Sequence, residues 1–301
     1  MLRFLSIIVV AVAALASRAS AQSVDPGRLN VVATFSILGD FAKNVGGDRV
    51  NVTTLVGPNS DTHVYTPTPS DAKKITDARL VIINGLGLEG WLQRLVKSSG
   101  SKAVTVVATK SIAARKIEDG HDHGPTDADP HAWQSVLNAK IYVANIRDAL
   151  MAADPAGADA YKANASAYLG KLDALDRDVR EAVATIPPER RSVISTHDAF
   201  GYFAAAYGIK FIAPQGVSTE SEPSARDIAA IISQIRKQKI PAVFLENVSD
   251  PRLMRRIAAE TGANIGGTLY SDSLTDEKGP APTYIDMVRH NIKALTSALS
   301  S

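Results

Sequence analysis

Metal ligation is the chemistry most open to this sequence, which has six histidines and no cysteine, so that imidazole and carboxylate are its available soft and hard ligands. His197 ends the apolar run Val193-Ile194, and an aromatic-rich helical pattern follows at Phe200-Gly201-Tyr202-Phe203. An imidazole there stands at the carboxyl end of a strand, where open α/β sheets place their ligands. His63 lies in Gly57-Pro58-Asn59-Ser60-Asp61-Thr62-His63-Val64-Tyr65-Thr66-Pro67. Three breakers exclude a core helix and leave it on a strand-end loop, a common place for function on a rigid scaffold. His131 follows Asp129-Pro130, which predicts a helix capped by Asp129 with the ring projecting from its first turn. A positive helix end disfavours protonation of that ring and so favours ligation. Asp272, in Tyr270-Ser271-Asp272-Ser273, follows the last strand of the second half.

Taken singly, each residue has a plainer reading: a surface histidine, a capping segment, a turn. Together they are two candidates from each half of the chain, and three imidazoles with one carboxylate suit a borderline divalent ion such as zinc or manganese. The spacing is long, and no short metal motif such as H-E-x-x-H accompanies it. His121 and His123 stand in the acidic stretch Glu118-Asp119-Gly120-His121-Asp122-His123-Gly124-Pro125, within an aperiodic loop over 115–130. Such a loop can capture metal transiently but is too loose for a buried site. His290, beside Arg289 in the final helix, reads as a packing or solvated residue.

The elements that must position these groups alternate. Strands are expected at Asn30–Thr34, Val50–Val56, Leu80–Ile83 and Val104–Ala108, with helices at Ile37–Val45, Asp71–Ala78 and Trp91–Lys97 between and around them. The second half repeats the pattern, with strands at Ser192–Ser195, Phe211–Ala213, Val243–Leu245 and Gly267–Leu269. Strands alternating with helices imply mostly parallel sheets covered on both faces. Between the halves, a helix is expected from Trp133 to Ala152 and a longer one over 158–186. In the latter, Tyr161, Ala165, Tyr168, Leu172, Leu175, Val179, Val183 and Ile186 recur in steps of three or four. At 1.5 Å per residue it would run roughly 40 Å, enough to cross a domain. The reading is an α/β chain of two lobes, 22–157 and 187–301, joined by one long rigid helix over 158–186.

Residues 1–21 read as a signal peptide: Arg3, an apolar run from Phe4 to Ala16, and the small residues Ala19-Ser20-Ala21. The apolar run is too short to span a bilayer, and no second one follows. Removing the segment takes two arginines and no acidic residue, bringing the formal charge of +2 to about zero. A neutral surface without basic blocks argues against nucleic acid as a partner. The lack of cysteine excludes disulfides, thiolate nucleophiles and a lipid-modified cysteine. The expectation is therefore a soluble, exported protein, free in a periplasm and not lipid-anchored.

The chain resembles the zinc/manganese class, cluster A-I, of periplasmic solute-binding proteins of ABC transporters. The resemblance covers nearly all of the mature chain. It rests on Gly57-Pro58 through His63, Asp129-Pro130-His131 with Trp133, Thr196-His197 through Tyr207-Gly208, and Ser271-Asp272-Ser273-Leu274 with Gly279-Pro280 to Tyr284. It implies two lobes bridged by a long helix with the metal between them, and ligands at His63, His131, His197 and Asp272. Members selective for manganese usually carry glutamate at the third position, so His197 favours Zn2+ over Mn2+. The short histidine loop and Asp272 set the chain with the zinc-binding members that combine three histidines and one aspartate. The implied role is capture of zinc by a monomer and delivery to an inner-membrane permease. Release is expected to use loop movements near His131 and Asp272. The loop at 118–124 is expected to guide metal in or accept it from a metallochaperone. Two alternatives stand: a manganese receptor of the same family, and an exported zinc hydrolase. The hydrolase would need three protein ligands plus water, and Glu220, Glu222 and Glu246 sit in no recognisable catalytic pattern.

Overall fold

The computed structural model describes residues 27–117 and 128–300. The expected signal peptide, His121 and His123 lie outside the described residues. The first lobe holds a four-stranded sheet of β1 (Leu29–Phe35), β2 (Val50–Val56), β3 (Leu80–Ile83) and β4 (Val104–Val107), in the order β2-β1-β3-β4. The second holds β5 (Ser192–Ile194), β6 (Lys210–Ile212), β7 (Ala242–Glu246) and β8 (Asn264–Leu269), in the order β6-β5-β7-β8. Every pairing in both sheets is parallel. Each sheet thus reverses its winding beside its first strand, between β1 and β3 or between β5 and β7, which opens a crevice at the carboxyl ends.

The helices of the first lobe are α1 (Ser36–Gly46), α2 (Pro69–Asp77), α3 (Leu92–Ser99) and α4 (Val136–Ala153). Helix α5 (Ala158–Ala184) connects to α6 (Gly201–Tyr207), α7 (Ala225–Gln238), α8 (Arg252–Thr261) and α9 (Tyr284–Leu299). The parallel strands are covered on both faces, so they read as continuous apolar runs rather than alternating ones. Val31, Val32, Ala33, Thr34 and Phe35 of β1 are all buried. Strand β8 begins earlier than its sequence suggests because Gly266 and Gly267 hide it. A side chain at Gly266 would meet the Phe244 ring at 2.5 Å, and Gly267 has φ +121°, so glycine is required at both. The opposing strand shifts register between Val243 and Leu245 to accommodate them.

The buried stripe of α5 is the one its periodicity predicts: Tyr161, Ala165, Tyr168, Leu172, Leu175, Val179 and Val183. It packs into a core that runs through both lobes, from Phe35, Phe41, Trp133 and Tyr142 to Tyr168 and Tyr284. Phe41 stands against the rings of Tyr142, Tyr168 and Tyr284, one each from α4, α5 and α9. Asp40 of α1 accepts the Tyr168 hydroxyl at 3.2 Å and the Tyr284 N–H at 3.1 Å, tying the same helices together with polar bonds. A separate cluster of Ile194, Ile231, Ile235, Val243, Met254 and Ile257 fills the far face of the second sheet beneath α7 and α8. The lobes share one core rather than meeting across a flexible linker.

Candidate metal site

All four candidate ligands sit beyond the carboxyl ends of strands. His63 follows β2 on the loop that α2 closes, where Thr68 and Asp71 form a capping box and Pro69 opens the helix. Trp91 Nε1 donates to the Thr62 carbonyl at 2.9 Å, and the His63 N–H donates to Asp61 Oδ1 at 2.8 Å, which fixes the loop around the ring. His131 follows β4, His197 follows β5, and Asp272 follows β8. Pairing between β5 and β6 continues as a bridge from His197 to Gln215, which holds the His197 backbone in line with the strand.

The four side chains meet between the lobes. Each offers one ligand atom, and these atoms all lie within 4.8 Å of one another. His63 Nε2 is 3.2 Å from His131 Nε2 and 3.4 Å from Asp272 Oδ2. His197 Nε2 is 3.2 Å from Asp272 Oδ2, and His131 Nε2 is 3.6 Å from Asp272 Oδ1. A tetrahedron whose centre lies about 2.0–2.1 Å from each donor has edges of about 3.3 Å, and these four separations, which run to both oxygens of Asp272, lie close to that length. His197 Nε2 and both Asp272 oxygens are buried without a hydrogen-bond partner. A buried carboxylate left unpaired is costly, and a cation at the centre would satisfy all three atoms at once. His131, His197 and Asp272 are 0% exposed, whereas His63 retains 8%, which marks its side as the one nearest solvent.

Two further carboxylates orient the rings from behind. Asp129 Oδ1 stands 2.9 Å from His131 Nδ1 and also accepts the His131 N–H at 3.0 Å. Glu246, at the end of β7, stands 2.6 Å from His197 Nδ1. Its other oxygen accepts the N–H groups of Thr196 and His197 at 2.7 and 3.1 Å. A carboxylate on Nδ1 turns Nε2 toward a metal, the carboxylate–histidine–metal arrangement.

Without metal, burial disfavours an imidazolium at His131, yet Asp272 and Asp129 outweigh it and push the pKa up to about 9. His197 is held well above its ordinary range in spite of burial, because Glu246 and Asp272 face it. Burial likewise opposes ionisation of Asp272, but the His197 and His131 rings hold its carboxyl well below the usual range. Protons can thus balance the charge that a cation would balance when bound.

Several expectations change here. Asp129 does not cap an α-helix: His131 precedes a short 3-10 turn over Ala132–Gln134, and α4 starts only after Ser135. The ring therefore feels carboxylates rather than a helix end, and its pKa moves opposite to the helix-end argument. The segment around Asp272 is held by backbone and side-chain bonds. The Ser271 carbonyl accepts Trp133 Nε1 at 2.8 Å and Gln134 Nε2 at 2.7 Å, and the Leu274 N–H donates to Ser36 at 2.9 Å. His290 Nε2 donates to the Thr268 carbonyl at 3.0 Å and packs edge-on against Tyr270, away from the cluster. Glu246, considered from the sequence only as a catalytic base, supports His197 instead; the two lie 49 residues apart and no local pattern links them. Asp129 was legible as a neighbour of His131 but was assigned to the backbone instead of the ring.

Residues 31–298 match the profile of a family described as ZnuA, zinc-uptake complex component A, periplasmic. The chain is 38% identical over 291 residues to the iron-binding protein YfeA of Yersinia pestis, covering 95% of this chain and 93% of that one. It is 36% identical over 299 residues to the manganese-binding lipoprotein MntA of Halalkalibacterium halodurans, covering 98% of each. Among solved structures, the periplasmic zinc-binding protein TroA of Treponema pallidum superimposes with a TM-score of 0.86 at 31% identity, over 91% of this chain and 100% of that one.

One expectation is withdrawn on these findings. MntA and three streptococcal relatives are named lipoproteins, which conflicts with placing this chain free of any membrane anchor. That placement rested on the absence of cysteine, which excludes only sulfur-linked lipid, one attachment chemistry among several. Among the described residues no helix is long and apolar enough to cross a membrane.

Proposed function

The chain belongs to the zinc-uptake component A family of metal-binding, substrate-binding proteins of ABC transporters, and on that premise we propose that it captures Zn2+ through His63, His131, His197 and Asp272 and hands it to a membrane permease. Members of the family are substrate-binding proteins rather than enzymes, so the hydrolase alternative falls away. The observation that carries the zinc reading is the buried cage of three Nε2 atoms and one carboxylate, all within 4.8 Å of one another. Zinc takes four ligands at such distances, whereas manganese prefers more oxygen donors and a larger shell. Four protein ligands leave no open position for a substrate water, as expected of cargo rather than of a catalytic ion.

The relatives named for iron and manganese make manganese the competing cargo. The two readings differ in which ion the wild-type site prefers, and both take Asp272, the one oxygen ligand among three nitrogens, as the fourth ligand. Zinc and manganese are titrated into metal-free wild type and into Asp272→Ala. The zinc reading expects one tight zinc per chain, weaker manganese, and a rise in the zinc Kd of more than about 100-fold in the variant, beyond the range of outer-shell changes. Full zinc affinity without Asp272 would remove it from the ligand set. The histidine loop belongs to the same reading as an auxiliary entry aid, with or without a metallochaperone. Deleting residues 118–124 is expected to slow loading while leaving the equilibrium affinity intact.

A further inference from the structure

We propose that Glu246 is a specificity-determining positioning residue: it fixes the ring of His197 and holds a proton on Nδ1, so that Nε2 is the nitrogen freed for the ion, and so sets the preference of the site for zinc. The inference rests on His197 being a ligand. Glu246 is 4% exposed and stands at the end of β7, next to β5 in the sheet. Its two oxygens have divided duties. Oε1 takes two backbone donors, Thr196 N–H at 2.7 Å and His197 N–H at 3.1 Å, while Oε2 takes Nδ1–H at 2.6 Å. One carboxylate therefore fixes the backbone on which the ring is mounted, the rotation of the ring, and the nitrogen that carries the proton.

The other two rings are held differently. Asp129, the partner of His131, comes from the same loop two residues away, with Arg115 Nε 3.7 Å from its second oxygen. His63 has no carboxylate bonded to its Nδ1 among the described residues; its fixed point is the backbone bond to Asp61. His197 is thus the only one of the three whose ring and backbone are clamped from a neighbouring strand. Its Nε2 is left buried and unpartnered, aimed at Asp272 from 3.2 Å. A nitrogen donor fixed in place before metal arrives rewards the ion that binds imidazole more strongly, which is zinc rather than manganese.

The division of oxygens makes a sharp test possible. In Glu246→Gln the amide oxygen must stay at the Oε1 position, because both groups there are donors. The NH2 group then occupies the Oε2 position and donates to Nδ1. That forces the proton onto Nε2, the atom that should bind the ion. Shape and burial barely change, so the fold is retained while the ligand is switched off.

The experiment measures zinc and manganese Kd for wild type, Glu246→Gln and His197→Ala, with the proton NMR spectrum of each cobalt-loaded protein. Glu246→Gln is expected to raise the zinc Kd about 10–100-fold, to weaken manganese by a smaller factor, and to lose one slowly exchanging, cobalt-shifted imidazole N–H. Unchanged zinc affinity, or equal losses for both ions with the wild-type N–H signals retained, overturns the proposal. His197→Ala separates the two levels. If it keeps wild-type zinc affinity, the ligand reading itself fails; if it loses zinc while Glu246→Gln does not, only the lock fails.

Discussion

At the scale of single residues, the site is a balance between one carboxylate and three rings that a proton or a metal can settle. The pKa of His131 is raised from 6.5 to about 9 in the metal-free protein, against burial and through Asp272 and Asp129. The sign for stability follows: this group's contribution is full below about 6.5 and fades as pH rises through about 9. Metal binding runs the other way. Nε2 must shed its proton before it can bind, so apparent zinc affinity falls with falling pH below about 9, about tenfold per unit for each proton displaced. Calorimetry of zinc binding at pH 7 in two buffers of different ionisation enthalpy is expected to show net proton release. Binding with no proton release would mean the rings are already neutral in the free site. The four residues that converge are legible in the sequence as strand-end candidates, through breakers and apolar runs, and the family resemblance joins them into one set. The groups behind them are not legible, because the bond from Glu246 to His197 joins residues brought together only by strand order.

At the scale of elements, the loop over 57–66 matters most, because it carries His63 and touches the second lobe on two sides. On one side the bonds are many: Asn59 N–H to the Leu274 carbonyl at 2.9 Å, Ser60 N–H to Ser273 at 3.3 Å, and Ser273 to the Gly57 carbonyl at 3.3 Å. On the other side Asp61 Oδ2 accepts the Thr219 hydroxyl at 2.6 Å, beside a cavity of about 510 Å³ lined by Asp61, Thr196, Gln215 and Thr219. This side is the more sparsely bonded, and Thr196, the neighbour of His197, lines the cavity, so it is the side on which the site should open. Thr219→Val keeps the volume and deletes the bond, and is expected to raise the zinc dissociation rate severalfold in a chelator chase. An unchanged rate would move the opening elsewhere. The element boundaries show where sequence reading stops. Strand β8 was foreshortened because two glycines conceal its first half, and α4 was started too early because Asp129-Pro130 looks like a cap. At β8 a tertiary contact decides, the Phe244 ring over Gly266; at α4 a local one does, the His131 ring on Asp129.

At the scale of the whole molecule, periodicity alone gave the long helix, and strand alternation gave two parallel lobes. What pattern could not give was the sharing of one core between them. Phe41, Tyr142, Tyr168 and Tyr284 pack across α1, α4, α5 and α9, so opening cannot be a wide swing of rigid halves without breaking buried contacts. Among the described residues, only the far face of the second sheet has a core of its own, under α7 and α8. That architecture favours a site whose ligands are largely placed before the ion arrives, and whose geometry selects the ion. X-ray absorption at the zinc edge of the loaded protein tests this most directly. The account predicts a four-coordinate shell of nitrogen and oxygen at about 2.0–2.1 Å with the scattering signature of three imidazoles. A five- or six-coordinate shell, or one with fewer than three imidazoles, would contradict it.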